Sequence, residues 1–239
     1  MLSTLFLLSL TASSVLSVSS GPFYVKGLQL FDDTLKSYDK RIRPYVDYPE
    51  NIQASISIIR LYDYNPDGKT IKMTFNYREQ WTDSRLAFDS SNKTVDHVHL
   101  PQEFWDRIWR PDTYFVSSSD NVILHDLPNT NGYLEISNEG LVKTSRKYST
   151  DIPCKEYAKF IKSNEFKELP INCTLKIESY SFPAQDITYS WGDAVQVYPD
   201  AVAAIKSEKR LKYVKYQAND SLTETLNSRL TLNIILDEE

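Results

Sequence analysis

The sequence has 239 residues, with 27 Lys or Arg against 32 Asp or Glu, so its formal net charge is −5. This acidic balance argues against a nucleic-acid-binding protein, because such domains carry a basic surface stripe. Charged residues make up 25% and aromatic residues 13% of the chain, which is typical of a folded globular protein. The length fits one domain that buries a core without a dense disulfide framework.

The first 20 residues are apolar and small and contain no charged side chain. They are typical of a secretory signal peptide, with Ser17, Ser19 and Ser20 near a cleavage point, although a buried N-terminal segment is the alternative. We therefore expect a mature domain of residues 21–239. No run of 18 apolar residues occurs in the chain, so we expect no transmembrane segment.

Cysteines and sequons support export. The two cysteines, Cys154 and Cys173, are an even count compatible with one disulfide. Closing the intervening residues would stabilise the fold by about 3 kcal/mol in the loop-entropy model. Asn-x-Ser/Thr sequons at Asn92, Asn172 and Asn219 are candidate glycosylation sites.

One helix is predicted near the start of the mature chain. Apolar residues recur there at helical spacing, namely Leu28, Phe31, Leu35 and Tyr38. Pro44 should end the helix, because proline disfavours helical geometry at the residue before it.

Beyond that helix, apolar and polar residues alternate with a period of two. The alternation is clearest in residues 71–78, 175–180 and 229–234. Turn signals separate such runs at 65–68 (NPDG), 131–132 (NG) and 138–140 (NEG). Many short alternating strands with regular turns predict an all-β fold, an immunoglobulin-like β-sandwich.

Several groups stand on the predicted polar faces of these strands. They are Asn76 with Arg78, Ser145 with Lys147, and Tyr180. Taken alone, each of these residues is interpreted as a solvent-exposed position on a strand. Together they would line a subunit interface.

No catalytic motif occurs: the chain has no G-x-S-x-G, H-E-x-x-H, Gly-rich phosphate loop or C-x-x-C. We therefore expect no enzyme and no cofactor. His97 and His99 should lie on one face of a strand, and His125 is the third histidine. Two ligands without a third are more often surface histidines than a zinc site, so we expect no metal.

Five stretches occur in a fixed order along the chain. They are YDKRIRP at 38–44, YREQWTDSRL at 77–86, WRPDTYF at 109–115, NCTLKIESY at 172–180 and AVQV at 194–197. Together they resemble the extracellular ligand-binding domain of Cys-loop receptors, in the anion-channel branch of glutamate-gated chloride channels, GABA-A receptors and glycine receptors. The resemblance runs from about Leu28 to Leu236. It implies a ten-strand sandwich with an N-terminal helix, assembled as a pentamer with ligands between subunits.

The resemblance also implies two sets of ligand contacts. The principal set is Tyr114, Glu178, Ser179 and Tyr180, with Tyr213 and Tyr216 as candidates in the third loop. The complementary set is Asn76, Arg78, Ser145 and Lys147. An arginine fork fits a carboxylate and tyrosine rings attract an ammonium group. A small zwitterion such as glutamate, GABA or glycine would suit both.

Three features depart from the family. The segment between the cysteines is longer than the family's and retains only Leu169 and Pro170 of its membrane-docking motif. Residues 217–227 contain no aromatic residue, and the chain stops at Glu239, where a first membrane helix should begin. The chain is thus expected to be either a truncated piece of a channel subunit or a naturally soluble homologue akin to acetylcholine-binding proteins, and the signal sequence and the altered cysteine loop favour the second.

The expected function is a secreted homopentamer or heteropentamer that reversibly captures an amino-acid-like neurotransmitter at subunit interfaces. The first alternative is the extracellular domain of a ligand-gated chloride channel subunit, at the outer face of the plasma membrane. The second is a structural or interaction sandwich with a degenerate pocket.

Overall fold

Twelve β-strands dominate the part of the chain that the computed structural model describes. That part comprises residues 28–29, 31–89, 96–100, 104–116, 122–124, 132–156, 170–201, 209–219 and 227–238. The predicted signal peptide (residues 1–20), the sequon Asn92, His125 and Leu169 lie outside the described residues.

The strands follow in chain order. They are β1 (Glu50–Asn65), β2 (Thr70–Thr82), β3 (His97–Leu100), β4 (Thr113–Val116), β5 (Ile123–Leu124), β6 (Gly132–Ser137), β7 (Leu141–Glu156), β8 (Ile171–Ser179), β9 (Ile187–Trp191), β10 (Gln196–Val197), β11 (Lys209–Asn219) and β12 (Arg229–Glu238). Short 3₁₀ helices lie at Ser84–Leu86 and Pro199–Ala201. Of the three alternating ranges predicted as strands, 71–78 and 229–234 are confirmed as parts of β2 and β12. The range 175–180 is confirmed as part of β8 except for Tyr180, which lies just beyond the end of the strand.

The predicted helix forms, but it ends earlier than expected. Positions 28–29 and 31–34 are helical, and a 3₁₀ turn at Leu35–Ser37 completes the segment. Tyr38 is already extended, so placing the end at Pro44 was wrong. The reason is a long-range anchor, because the Tyr38 hydroxyl donates to Asp83 Oδ2 at 2.7 Å and accepts from the Trp109 N–H at 2.9 Å.

Asp83 joins the N-terminal segment to the sheet. Its side chain is fully buried and accepts from Arg85 Nη2 at 2.7 Å as well as from Tyr38. Its backbone N–H donates to Gly140 O at 2.9 Å. Gly140 has φ +83°, and a Cβ there would lie 2.3 Å from Asp83 O, so the predicted turn at 138–140 requires glycine.

Two sheets form the sandwich. In the first, β10, β1, β2 and β7 follow one another, β9 also pairs with β1, and β6 joins β3 to β7. In the second, β11, β12, β8 and β4 follow one another. The end of β7 crosses to the second sheet, where Cys154 pairs with Cys173 of β8. The all-β sandwich with an N-terminal helix is confirmed; two of its twelve strands, β5 and β10, are only two residues long.

Alternate residues of the long strands build the core. In β2 these are Ile71, Met73, Phe75 and Tyr77, each no more than 3% exposed. The second sheet meets them through Phe115 of β4, whose ring centroid lies 5.5 Å from that of Phe75 and 5.1 Å from that of Tyr77. Aromatic contacts in this edge-to-face geometry strengthen the burial of apolar area.

The predicted disulfide between Cys154 and Cys173 is confirmed. It lies where β7 leaves the first sheet for the second, so it ties the two layers together. Within the described residues, no helix has the length and apolarity needed to cross a bilayer.

We expect the double variant Cys154→Ala/Cys173→Ala to lower the free energy of unfolding by about 3 kcal/mol, because the open chain regains loop entropy. Urea unfolding followed by tryptophan fluorescence measures the change. The parent protein in reducing buffer is the matched control and should unfold at the same urea concentration as the double variant. Equal midpoints for the oxidised parent and the double variant would contradict the prediction.

Candidate ligand-binding faces

The first candidate face lies on the outer surface of the first sheet. Asn76 and Arg78 of β2 pair with Lys147 and Ser145 of β7, respectively. Directly paired residues of antiparallel strands point to the same side, so the four residues predicted as the complementary set share one surface. Ser145 is 8% exposed, because its neighbours on that surface cover it.

The side chain of Arg78 is held in place by a hydrogen bond to strand β1. Its Nη1 donates to Ser57 Oγ at 2.7 Å, and the Ser57 hydroxyl donates to Gln196 Oε1 at 3.1 Å. Ser57 is fully buried. Within the described part of the chain, no carboxylate forms an ion pair with Arg78, so its remaining donors are available to an anion.

A cleft of about 610 Å³ opens beside Arg78, a volume within the range of small-molecule sites. Its lining includes Lys143, Tyr133, Trp191 and Asp193. The sequence analysis missed these four residues. Tyr133, which is 41% exposed and pairs with Ser145, was signalled only by its position after the predicted turn at 131–132.

The second candidate face carries two exposed tyrosines. Tyr114 of β4 is 43% exposed and Tyr180, just after β8, is 75% exposed. Their ring centroids lie 5.6 Å apart with an interplanar angle of 70°. The pairing of β4 with β8 thus brings together two members of the predicted principal set.

Glu178 lies beneath these rings and is already paired. It is the strand partner of both Tyr114 and Arg229, and its Oε2 accepts from Arg229 Nε at 2.6 Å. Arg229 therefore neutralises the charge of Glu178, which was predicted as a member of the principal set. The two exposed rings are the groups on this face able to attract a cation by cation–π interaction.

Ser179 is 2% exposed and supports the loop that presents Tyr180. Its hydroxyl donates to Asp112 Oδ1 at 2.5 Å and accepts from the Phe182 N–H at 2.8 Å. Ser181 donates to Asp112 Oδ2 through both its N–H and its hydroxyl, at 2.8 and 2.6 Å. Asp112, which the sequence analysis quoted only as part of a motif, is the residue that organises this loop.

Of the two candidates for the third loop, only Tyr216 has a side chain within the described part of the structure. Tyr216 packs edge-on against Trp191, with ring centroids 5.4 Å apart, and so lies next to the cleft rather than next to Tyr180. Tyr213 pairs through its backbone with Ile235, and its side chain lies outside the described part of the structure.

The two faces point away from each other. Tyr77 and Phe115 meet across the core, and each is followed or preceded in its strand by a predicted ligand contact. Successive side chains of a strand point to opposite sides. Arg78 and Tyr114 therefore lie on opposite surfaces of the sandwich, and one copy of the chain does not bring them together.

Glu79 borders the cleft from the inner side of β2. Its carboxylate accepts from the Thr113 hydroxyl, which also lies 2.8 Å from the Tyr189 hydroxyl. Burial raises the pKa of Glu79 from its ordinary value of 4.5 to about 7. The folded protein favours the protonated form, so the stabilisation is complete below pH 4.5 and is lost as pH rises through about 7.

We expect Glu79→Gln to reduce the loss of stability between about pH 5 and pH 8, by up to about 2–3 kcal/mol relative to the parent. Urea unfolding at both pH values measures the difference. Glu139→Gln, in an exposed turn, is the control and should follow the parent. An identical pH dependence for Glu79→Gln and the parent would refute the prediction.

We expect Asp112→Asn to lower the free energy of unfolding by about 2–4 kcal/mol, because the amide cannot accept every hydrogen bond from Ser179 and Ser181. Asp106→Asn is the matched control, since its side chain is 84% exposed and pairs with Arg110; it should cost less than about 1 kcal/mol. Thermal and urea unfolding give both values. Equal losses in the two variants would rule out the supporting role of Asp112.

Three of the known proteins that are similar to this chain are gamma-aminobutyric acid receptor subunits. Gamma-aminobutyric acid receptor subunit theta of Mus musculus is 27% identical over 169 residues, which cover 69% of this chain and 25% of that protein. Gamma-aminobutyric acid receptor subunit beta-4 of Gallus gallus is 28% identical over 167 residues, covering 68% and 32%. Gamma-aminobutyric acid receptor subunit beta of Caenorhabditis elegans is 26% identical over 219 residues, covering 89% and 37%. The chain thus spans 25% to 37% of the length of these relatives.

The family profile described as neurotransmitter-gated ion-channel ligand binding domain matches residues 28–236. This interval contains β1 to β11, all of β12 except its last two residues, and both candidate faces, and it confirms the resemblance to Cys-loop receptors. The family consists of receptor domains rather than enzymes. Because the match extends over most of its length, the chain belongs to the neurotransmitter-gated ion-channel ligand-binding domain family.

Proposed function

We propose that this domain reversibly binds a small amino-acid-like neurotransmitter between two neighbouring subunits of a pentamer. The observation that carries the proposal is the placement of Arg78 and Tyr114 on opposite surfaces of one sandwich. In a ring of like-oriented subunits, the Arg78 face of one subunit meets the tyrosine face of the next. Such an interface is complete only when subunits assemble.

The chemistry of the two faces supports a zwitterionic ligand. Arg78 lines the cleft, and a guanidinium binds a carboxylate through two parallel hydrogen bonds. Asn76, Ser145 and Lys147 add polar groups along the same surface. Tyr114 and Tyr180 attract an ammonium group by cation–π interaction, which contributes about 0.5–2 kcal/mol.

GABA, glutamate and glycine carry both charged groups, so they are the ligands that we propose to test. The names of the relatives favour GABA as the first. Glu178 is neutralised by Arg229, so recognition of the ammonium group rests on the rings rather than on a free carboxylate. We assign no catalytic step to the domain, since capture and release need none.

Two forms of the protein are compatible with this function. One is a secreted homopentamer or heteropentamer that acts as a soluble binding protein. The other is a chloride channel subunit at the outer face of the plasma membrane. Sequencing the complete transcript distinguishes them, because a channel subunit needs four apolar stretches of about 20 residues.

We expect Arg78→Ala to weaken binding of GABA, glutamate or glycine by about 1.5–3 kcal/mol, because a charge-assisted hydrogen bond to the carboxylate is lost. Calorimetric titration of protein whose mass by light scattering is that of five chains measures the change. Binding of a matched amine that lacks the carboxylate should be unaffected.

Lys72→Ala is the matched control, because Lys72 lies on the same face of β2 about 20 Å from Arg78 and its removal changes the net charge equally. Equal affinity of Arg78→Ala and the parent for these ligands would contradict the proposal that Arg78 binds the ligand carboxylate. Assembled pentamers that bind none of these ligands would favour an interaction sandwich with a degenerate pocket.

A further inference from the structure

We infer that His97, His99 and Glu135 form a binding site for a divalent transition-metal ion, with Zn²⁺ as the preferred ion. The site lies on the outer surface of the first sheet, on strands β3 and β6. Lys143 borders both this site and the Arg78 cleft, but none of the three ligands lines that cleft, so zinc binding can be tested without a neurotransmitter.

The two histidines project from one side of β3. Val98 and Leu100 are buried at 3% and 5% exposure, so the alternation of the strand directs His97 and His99 outward together. Their ring centroids lie 5.0 Å apart. The sequence predicted this geometry, but it showed no third ligand, so no metal site was expected there.

Strand pairing supplies the third ligand. His99 is the direct partner of Glu135 in the antiparallel pair of β3 and β6, and His99 Nδ1 lies 3.6 Å from Glu135 Oε2. One ligand atom from each of the three residues lies within 4.8 Å of the other two. Two imidazoles and one carboxylate are a ligand set that zinc uses in proteins.

To coordinate zinc, the three ligand atoms need to move only slightly closer together. Ligand atoms about 2.0–2.2 Å from a tetrahedral zinc ion lie about 3.3–3.5 Å apart. The side chain of His99 is 61% exposed, so rotation about its side-chain bonds can close the difference. The backbone beneath is fixed, because Leu134 and Ile136 on either side of Glu135 are fully buried.

Lys143 orients the carboxylate. Its Nζ lies 3.2 Å from Glu135 Oε1, whereas Oε2 faces His99. One oxygen is therefore held by the lysine while the other is directed at the metal position, as outer-shell partners commonly do. Within the described residues the cluster contains three ligands, so water would occupy the fourth position.

Titration of ZnCl₂ into tag-free, chelator-treated protein tests the proposal. We expect one Zn²⁺ per chain and a rise in melting temperature, because a ligand that binds only the folded state stabilises it. We expect His99→Ala, His97→Ala and Glu135→Gln each to weaken binding by more than about 10-fold. Substitution of Co²⁺ should give the visible absorption of a tetrahedral site in the parent and lose it in the variants.

Glu139→Gln is the matched control, since Glu139 is an exposed carboxylate in the turn after β6 and should leave zinc binding unchanged. Equal melting temperatures of variants and parent in chelator establish that each variant folds; His97→Asn and His99→Asn replace any alanine variant that does not. Absence of zinc binding by the parent, or retention of parental affinity by the His99 and Glu135 variants, would overturn the proposal.

Discussion

The alternation of buried and exposed side chains along β2 is the constraint on which the rest of the structure depends. Met73, Phe75 and Tyr77 are buried against the second sheet, so Arg78 must face outward. Because β1 and β7 pair with β2, their outward residues are set by the same register. A slip of one residue would exchange the inner and outer faces and move Arg78 into the core.

The same constraint makes the proposed ligand site a property of an assembly. Tyr77 and Phe115 touch across the core, and the residues beside them in sequence, Arg78 and Tyr114, lie on opposite outer surfaces. A sandwich built this way offers half of a site on each side. Closing the site requires a second copy, which is why the proposed function depends on a ring of subunits.

Two hydrogen-bonded carboxylates connect the irregular segments to this rigid frame. Asp83 joins the N-terminal segment to the end of β2 through Tyr38 and Arg85. Asp112 shapes the loop that carries Tyr180. Each carboxylate is fully engaged in charge-assisted hydrogen bonds, which offset the cost of removing it from water. Beneath the exposed tyrosines, the guanidinium of Arg229 neutralises the carboxylate of Glu178.

Local patterns in the sequence determined the sandwich, the existence of the N-terminal helix and the outward position of Arg78, because side-chain alternation is a property of neighbouring residues. The cysteine count allowed the disulfide without specifying its place between the sheets. Only the tertiary structure decided the early end of the helix at Ser37, the engagement of Glu178 by Arg229, the supporting role of Ser179 and the approach of Glu135 to His99. Each of these depends on a partner distant in the chain, and strand pairing, rather than local spacing, decides which distant residues meet.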